Sequence, residues 1–440
     1  MFATTIRRVA TIPVVLAISD GLVTDAAAVR QWNSHSRDVT TARACSVAVV
    51  SRRRIVLADG QVLHIAVGST ARQGGAVLLA GSPTYTWAAG AAPGASPLTR
   101  DSLIGVLVAE NGEFRGVPNP IPGRPIAYPK VAPAGGGAWH VVLLERLTIR
   151  EGHDQESDSA QLWYGRYDGR RWTDVAPVTR IHGRYMAGEY TSDLVARIDG
   201  TLSFAYGLDA EIAGRQIAGI VLQRRERGRW VSDTLGNLIE PRYVRLLPSR
   251  SAGSWSVLFV AQFFENGRLI NASLRAAEWS GRWSSPVVIV RASERSIINP
   301  RSFALARGTL VTWTRQASRA DVDRVPRVEW AIAPATQPSE SVAATAILGT
   351  NEYTAISLGS DSVAWFARDG LTADRVRVAV FANDSLSDLG TLRIRNEVRL
   401  AAVGLSGSRV ALVTSDLGTQ PAEPPAVSVF TILTPVCRRG

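Results

Sequence analysis

Charged and aromatic side chains recur at one position of this sequence, the start of the first strand in successive predicted repeat units. The residues at these equivalent positions are Lys130, Asp193, Arg242, Arg301, Tyr353 and Arg399. Guanidinium groups bind carboxylates and phosphates through paired hydrogen bonds, so a cluster of arginines suits the recognition of an acidic group. The alternative is that these side chains pair with neighbouring glutamates and only hold the strands together. Those glutamates are Glu189, Glu240, Glu352 and Glu397.

Other motifs that carry chemistry are missing. The five histidines show neither HExxH spacing nor a cysteine partner, and the sequence has no Gly-x-Ser-x-Gly or phosphate-binding loop. A single histidine in an apolar strand, such as His64 or His140, is far more often a packed residue than a ligand. The acidic loop 147–159 matches no EF-hand spacing, which favours a solvated surface over a calcium site. We therefore expect no metal and no cofactor.

A repeated phrase indicates which elements position the charged residues. Residues 161–178, 220–235 and 271–289 each contain an apolar strand, a turn with glycine, a tryptophan and a second strand. The glycines and tryptophans of the three copies are Gly169 and Trp172, Gly228 and Trp230, and Gly281 and Trp283. From Ser46 onwards, short β-branched and apolar runs alternate with Gly, Asp, Asn and Pro turns, and we find no long helical periodicity.

Alignment of the turns divides the chain into seven units with a spacing of about 50 residues. The units are 61–118, 127–178, 189–235, 240–290, 299–346, 352–395 and 396–437. Four short strands at that period are typical of a β-propeller, because a four-stranded sheet cannot bury both faces alone and packs on its neighbours around an axis. We predict an all-β propeller of seven four-stranded blades. Six blades are the alternative, because the first unit is poorly formed.

The last unit supplies only three strands before the sequence ends. The unassigned β-run 45–50 precedes the first unit, and we predict that it becomes the outer strand of the last blade and closes the ring. Cys45 would then lie beside Cys437, and a disulfide would join them. Such a bond persists in oxidising compartments, which agrees with export. Two unpaired thiols are the alternative.

Composition and charge exclude some classes of protein. Hydrophobic content of 46% and charged content of 20% are typical of a globular chain. The formal net charge is +11, and Lys130 is the single lysine among 49 basic residues. The arginines are scattered and do not form basic runs, so we expect no nucleic-acid partner. Attraction to anionic polymers or sugars is one interpretation of the charge, and an arginine-biased genome is the other.

The N-terminus has the order of a secretory signal. Arg7 and Arg8 precede the apolar run 9–18, and small residues follow at 26–28. We predict a signal peptide over 1–28, a linker over 29–44 and a single propeller domain over 45–440. No apolar run is long enough for a transmembrane helix. The expected location is outside the cell, in the periplasm or at the cell surface, and a docked or disordered N-terminal arm is the alternative.

The units with a Gly-x-Trp turn resemble those of sialidase-like (BNR-repeat) propellers over most of residues 127–400. In that family, an Asp-box of the form Ser/Thr-x-Asp-x-Gly-x-x-Trp marks the turn between the third and fourth strands. Here Asp168 and Gly169 are adjacent, and the turns at Gly228 and Gly281 lack the aspartate. The resemblance implies a β-propeller whose site faces one end of the central channel.

The resemblance also implies a set of catalytic residues. The family uses three arginines for a sugar carboxylate, a tyrosine nucleophile paired with a glutamate, and an aspartate as acid. Arg242, Arg301 and Arg399 would correspond to the three arginines, with Tyr353 and Asp193 as their partners. The family's Arg-Ile-Pro motif is missing, because residues 124–126 have the order Arg-Pro-Ile.

Three hypotheses for the function follow. The first is a secreted binding or scaffolding module for a glycan or an extracellular protein, with Lys130, Arg242, Arg301, Arg399 and Tyr353 as ligand-binding residues. The second is a glycoside hydrolase or lyase with Asp193, Tyr353 and Glu240 as catalytic residues. The third is a structural subunit of a larger extracellular assembly. Convergence of these catalytic residues beside the arginines would favour an enzyme, and contacts that tie them between blades would favour a binding module.

Overall fold

A computed structural model gives the structure of the chain. The residues it describes are 45–56, 62–69, 77–84, 104–108, 114–122, 124, 126–148, 159–182, 192–197, 200–212, 215–239, 241–248, 253–266, 268–293, 296–305, 308–316, 327–333, 345–346, 353–358, 362–368, 375–382, 385–393, 397–405, 409–416 and 426–437. The predicted signal peptide and linker, Glu189, Glu240 and Glu352 lie outside these residues.

The described residues form 28 strands, which assemble into seven antiparallel sheets of four. The first three sheets in chain order are β2 (Val62–Ser69), β3 (Val77–Thr84), β4 (Ile104–Val108) and β5 (Phe114–Val117); β6 (Ile126–Ala134), β7 (Ala138–Thr148), β8 (Ser159–Tyr167) and β9 (Trp172–His182); and β10 (Ser192–Ala196), β11 (Leu202–Ile212), β12 (Arg215–Glu226) and β13 (Arg229–Leu235).

The next three sheets follow the same sequential order. They are β14 (Pro241–Pro248), β15 (Trp255–Glu265), β16 (Arg268–Trp279) and β17 (Val287–Ser293); β18 (Ser296–Leu305), β19 (Gly308–Gln316), β20 (Arg327–Ala333) and β21 (Thr345–Ala346); and β22 (Tyr353–Ser357), β23 (Ser362–Arg368), β24 (Arg375–Ala382) and β25 (Ser385–Arg393).

The last sheet joins the two ends of the described chain. It contains β26 (Glu397–Leu405), β27 (Arg409–Asp416) and β28 (Ala426–Cys437), and its fourth strand is β1 (Cys45–Val56). β1 runs antiparallel to β28, and the register places Cys45 directly opposite Cys437. The disulfide between them stays a prediction, for which this register is the structural support.

The sheets follow one another in a circle of contacts. The first strand of each sheet contacts the first strand of the next, from β2 through β6, β10, β14, β18 and β22 to β26, and β26 contacts β2. Apolar clusters fill the spaces between consecutive sheets; one, for example, joins Leu162 and Tyr164 of β8 to Phe204 of β11. This all-β arrangement of four-stranded sheets confirms the predicted fold class and is consistent with a β-propeller.

Burial explains the sequence pattern of the strands. β15 is buried almost continuously from Trp255 to Gln262, because both faces of its sheet are covered by neighbouring sheets. The outer strand β13 is mostly exposed, which matches its polar composition. The repeated turns require glycine, since Gly169, Gly228 and Gly281 have φ values of 87°, 81° and 87°. Within the described residues, no helix has the length and hydropathy needed to cross a membrane.

Three of the first strands contain the same irregularity. The register shifts between Ala127 and Lys130 in β6, between Arg242 and Arg245 in β14, and between Ile298 and Arg301 in β18. In each case, two residues of the first strand oppose one of the second, which is a β-bulge. Two bulge residues, Tyr243 and Asn299, have left-handed φ values of 53° and 50°.

Candidate functional site

The bulges determine which basic residues occupy equivalent positions at the start of the first strands. Lys130, Arg245 and Arg301 each follow a bulge and oppose Val142, Leu258 and Thr312 of the adjacent second strand. The sequence alignment placed Arg242 beside Arg301, but the register places Arg245 there. Arg399 also follows a register shift in β26.

Arg301 lies at the centre of a group that we call the mouth cluster, formed by Asp193, Arg245, Arg301 and Tyr353. Its guanidinium carbon lies 5.7 Å from the ring centroid of Tyr353. Burial is the main cause that lowers the pKa of Arg301 to about 10; Arg245 acts in the same direction, and Tyr353 and Asp193 act against it. Arg301 therefore keeps its charge at neutral pH in a buried position that favours an anion.

Asp193 joins two neighbouring sheets. Its Oδ2 accepts a hydrogen bond from the backbone N–H of Leu246 in β14 at 2.9 Å, and its Oδ1 accepts one from the N–H of Leu194 at 3.0 Å. The carboxylate thus connects β10 to β14 immediately beside Arg245. Asp193, which the sequence predicts as a candidate catalytic acid, therefore holds two sheets together in the structure.

Tyr353 also connects two sheets, and it is fully buried with 0% exposure. Its hydroxyl donates to the carbonyl of Asn299 in β18 at 2.9 Å and lies 2.9 Å from the hydroxyl of Thr312 in β19. Burial raises the pKa of Tyr353 to about 12, so the phenol stays protonated at neutral pH. A nucleophile would need access and a readily lost proton, and this tyrosine has neither.

Replacement of Tyr353 with phenylalanine tests this interpretation. We expect the free energy of unfolding to fall by about 1–3 kcal/mol, because the buried carbonyl of Asn299 loses its donor. Urea unfolding measures the change. If the folded variant lost turnover of a carbohydrate substrate while its stability was unchanged, Tyr353 would act on the substrate and the structural role would be wrong.

The other predicted site residues occupy separate places. Lys130 is partly exposed in β6, and the guanidinium of Arg242 lies 5.8 Å from the ring centroid of Phe264. Arg399 belongs to β26, but its side chain, like the whole of Glu240, falls outside the described part of the chain. The structure therefore brings together Asp193, Arg301 and Tyr353 of the predicted residues, and adds Arg245 to them.

A second group of functional side chains lies between the β6–β9 and β10–β13 sheets. His140, Tyr164 and Arg225 form it, and we call it the His–Tyr–Arg cluster. His140 Nδ1 lies 2.8 Å from the Tyr164 hydroxyl, and Arg225 Nη1 donates to the same hydroxyl at 3.0 Å. Because Arg225 can only donate, the phenol oxygen accepts from it, and the phenol proton can be shared with His140.

Burial sets the protonation of the His–Tyr–Arg cluster. His140 is 8% exposed and Tyr164 is 1% exposed. Burial lowers the pKa of His140 to about 4, and the positive charges of Arg225 and Arg166 reinforce this shift. Burial also raises the pKa of Tyr164 above its usual value of 10.0. At neutral pH, a neutral imidazole and a protonated phenol are therefore in contact, which is the state required of a base and an acid.

Positive charge surrounds this pair. Lys130 and Tyr164 both oppose Val142 and so share one face of the β6–β9 sheet, two strands apart. The side chain of Arg225 is 23% exposed, and its Nη2 lies 3.6 Å from the carboxylate of Asp174. Arg225 is thus the part of the cluster that an acidic ligand would reach first.

Sequence analysis interpreted His140 as a packed residue and did not select Tyr164 or Arg225. The three side chains come from two sheets, and the residue numbers differ by 24 between His140 and Tyr164 and by 61 between Tyr164 and Arg225. No spacing motif connects residues that meet only after two sheets pack. The repeated phrase does contain Tyr164 and Arg225, but the repeat alone assigns them no chemistry.

Comparison with known proteins identifies the fold and no sequence family. No family model matches the chain, and no curated protein matches it. Among solved structures, the chain is similar to the polysaccharide lyase Uly1, with a TM-score of 0.53, 10% identity and coverage of 88% of this chain and 100% of that one. It is also similar to a polysaccharide lyase described as a PL25 ulvanlyase, with a TM-score of 0.51, 9% identity and coverage of 88% and 94%.

A third similar structure is described as a PL25 ulvanlyase bound to -[GlcA(1-4)Rha3S]-, with a TM-score of 0.51 and 8% identity over 89% of this chain and 95% of that one. At such low identity these similarities concern the fold. The sialidase-like resemblance stays a prediction.

Proposed function

We propose that this protein is a carbohydrate-active enzyme that cleaves an acidic polysaccharide by elimination, as a lyase. The observation that carries the proposal is the contact of a neutral imidazole, a protonated phenol and a guanidinium in the His–Tyr–Arg cluster. The solved structures with similar folds and the highest TM-scores above are polysaccharide lyases, which supports the same reaction class.

Elimination from a uronate needs three functions. A cation neutralises the carboxylate, a base removes the proton on the adjacent carbon, and an acid protonates the leaving glycosidic oxygen. Arg225, His140 and Tyr164 can supply these functions in that order, once movement of Arg225 opens the buried His140 and Tyr164 to the substrate. As the carbon–hydrogen and carbon–oxygen bonds break, a carbon–carbon double bond forms. The proton that His140 took from the carbon then passes through its hydrogen bond to Tyr164, which replaces the proton lost with the leaving group.

Access to Tyr164 depends on Arg225 in this proposal. The phenol is buried, and Arg225 covers it with its guanidinium carbon 4.5 Å from the ring centroid. When Arg225 turns to the carboxylate of the substrate, it leaves the phenol oxygen and uncovers it. Substrate binding and exposure of the acid are then one event.

Hydrolysis receives less support from the described residues. A hydrolase of the common type places two carboxyl groups on either side of the scissile bond. In the mouth cluster, the carboxylate of Asp193 is held by two backbone N–H groups, and Tyr353 is sealed between sheets. These ties meet the condition we set for a binding or scaffolding module, which is the second candidate function. Export of the protein remains a prediction under both.

Positive charge supports an acidic substrate. The chain carries a net charge of +11, and Arg225 and Arg166 place positive charge beside His140 in the His–Tyr–Arg cluster. Guanidinium groups in a concave, partly buried site bind carboxylates and sulfates more strongly than they would in water. The substrate class is therefore a polysaccharide with uronate or sulfate groups.

The test is incubation of the purified protein with uronate polymers such as alginate, polygalacturonate, hyaluronan and ulvan. We expect one of them to give the ultraviolet absorbance of an unsaturated uronate, and the same polymer with reduced carboxyl groups to give none. New reducing ends without that absorbance would indicate a hydrolase. Tight binding without cleavage would favour the binding module.

A further inference from the structure

The hairpin between β15 and β16 ends in exposed aromatic side chains. Phe263 and Phe264 are 43% and 41% exposed, although the strand before them is buried. Glu265 pairs with Arg268, and Asn266 adopts a left-handed φ of 50°. Both rings therefore lie in the last part of β15 with much of their surface open to solvent.

Register places Phe264 on the same sheet face as two arginines. Arg242 opposes Val260 and Arg245 opposes Leu258, and side chains two or four residues apart in β15 share one face. Phe264 lies four residues beyond Val260 on that face, and its ring centroid is 5.8 Å from the guanidinium carbon of Arg242. Phe264, Arg242 and Arg245 thus form a row that leads from the hairpin tip to the mouth cluster.

Phe263 provides a contrast in the same hairpin. Successive side chains of a strand point to opposite faces, so Phe263 points away from the row of arginines. The extra residue at the register shift belongs to β16, since Phe263 and Phe264 oppose Asn271 and Leu269. The two phenylalanines are similarly exposed, but only Phe264 stands beside a guanidinium group.

We propose that Phe264 and Arg242 form a subsite for one sugar of an acidic polysaccharide, a proposal that rests on the proposed function. The ring of Phe264 stacks on the apolar C–H face of the sugar. Arg242, placed against the same ring, binds a carboxylate or sulfate of that sugar or of the next one. Arg245 and Arg301, both members of the mouth cluster, extend the positive charge beyond Arg242.

The size of the patch favours a saccharide over a protein partner. A stable protein interface buries about 800 Å² on each side, far more than one ring and its neighbouring guanidinium can offer. A single sugar ring has an apolar face that one phenylalanine side chain can cover. The exposed carboxylate of Glu265 at the tip would repel an acidic group of the ligand. The anionic group of the bound sugar therefore lies on the side of Arg242.

The test compares Phe264→Ala, Phe264→Tyr and Phe263→Ala for KM and kcat with an acidic oligosaccharide, and for its Kd by calorimetry. We expect Phe264→Ala to raise KM and Kd about tenfold with little change in kcat, which corresponds to about 1.4 kcal/mol. Phe264→Tyr keeps the aromatic face and should bind like the wild type. Phe263→Ala is the matched control and should also bind like the wild type.

The outcomes separate the subsite from the reaction. The subsite would be overturned if Phe264→Ala and Phe263→Ala changed the Kd equally. It would also be overturned if the wild type bound the oligosaccharide and Phe264→Ala bound it equally well. If the wild type binds the oligosaccharide without cleaving it, the lyase proposal is overturned. The Kd values of the variants then still show whether Phe264 contributes to binding. A wild type that neither binds nor cleaves any uronate or sulfated oligosaccharide would overturn both.

Discussion

Replacement of Tyr164 with phenylalanine is expected to lower the turnover of an acidic polysaccharide by a factor of about 10²–10⁴. The variant keeps the ring packing against Trp230 but removes the hydroxyl that contacts His140 and Arg225. It thereby removes the group that we assign as the acid for the leaving oxygen. Turnover is measured by the ultraviolet absorbance of the unsaturated product.

Tyr206→Phe is the matched control for this experiment. Tyr206 belongs to the same apolar cluster, is 5% exposed and also has a pKa raised by burial. Loss of either buried hydroxyl should cost a similar free energy of unfolding, about 1–3 kcal/mol, but only Tyr164→Phe should lose turnover. A folded Tyr164→Phe protein with wild-type turnover would rule out the assigned acid.

The pH dependence of kcat/KM follows from the same cluster. Only the neutral form of His140 can accept a proton, and burial lowers its pKa to about 4. We therefore expect kcat/KM to rise with pH through about 4 and then to stay level through neutral pH. Because kcat/KM reports the free enzyme, a rise centred near the ordinary histidine value of 6.5 would show that His140 is not the base.

The stability of the protein should depend on His140 in the same direction. Its folded pKa of about 4 lies below the unfolded value of 6.5, so the unfolded state takes up a proton first as the pH falls. Stability is therefore lost as the pH falls from about 6.5 towards 4, and His140→Gln should remove this part of the loss.

Replacement of Cys45 with serine is expected to lower the free energy of unfolding by about 4–5 kcal/mol, if the loop is treated by its chain entropy. Cys45 and Cys437 occupy opposite positions in β1 and β28. Opposite residues of antiparallel strands have Cα atoms about 4.5–5.5 Å apart, within the range that a disulfide spans. The bond would join the first and the last of the described residues.

Urea unfolding of exported protein with and without reductant measures this effect, and mass spectrometry without reduction identifies the linked peptide. Cys437→Ser should lose as much stability as Cys45→Ser, and the double variant should lose no more than either one. Reductant should leave all three variants unchanged. Free thiols in protein from an oxidising compartment would contradict the disulfide.

Most of the fold follows from the sequence because turns carry local signals. The glycines of the repeated phrase adopt left-handed φ values that other residues rarely accept, so they indicate where strands end. The first predicted unit, 61–118, corresponds to strands that run from Val62 to Val117, although that unit is the least regular in sequence. Pairing of β1 with β28 was also predictable, since the last unit lacked one strand.

The site was less predictable because it depends on register and on packing between sheets. The same bulge occupies Tyr243 and Val244 in β14 and Asn299 and Pro300 in β18, so Arg245, and not Arg242, is equivalent to Arg301. The His–Tyr–Arg cluster forms only when two sheets meet, so neither sheet's sequence contains the information alone. Tyr353 was selected as a candidate from its strand position, and only the contacts reveal that it is sealed.

The pairing of β1 with β28 has a consequence for biosynthesis. A ribosome makes β1 before all the other described strands, but its partner is made after them. Throughout that interval, the backbone of β1 is an open strand edge, which is prone to mispairing with other chains. The six sheets from β2 to β25 can form as the chain emerges, whereas the last one waits for Ala426 and the residues that follow. A chain that stops before that point is left with a permanent gap, which chaperones and proteases could recognise.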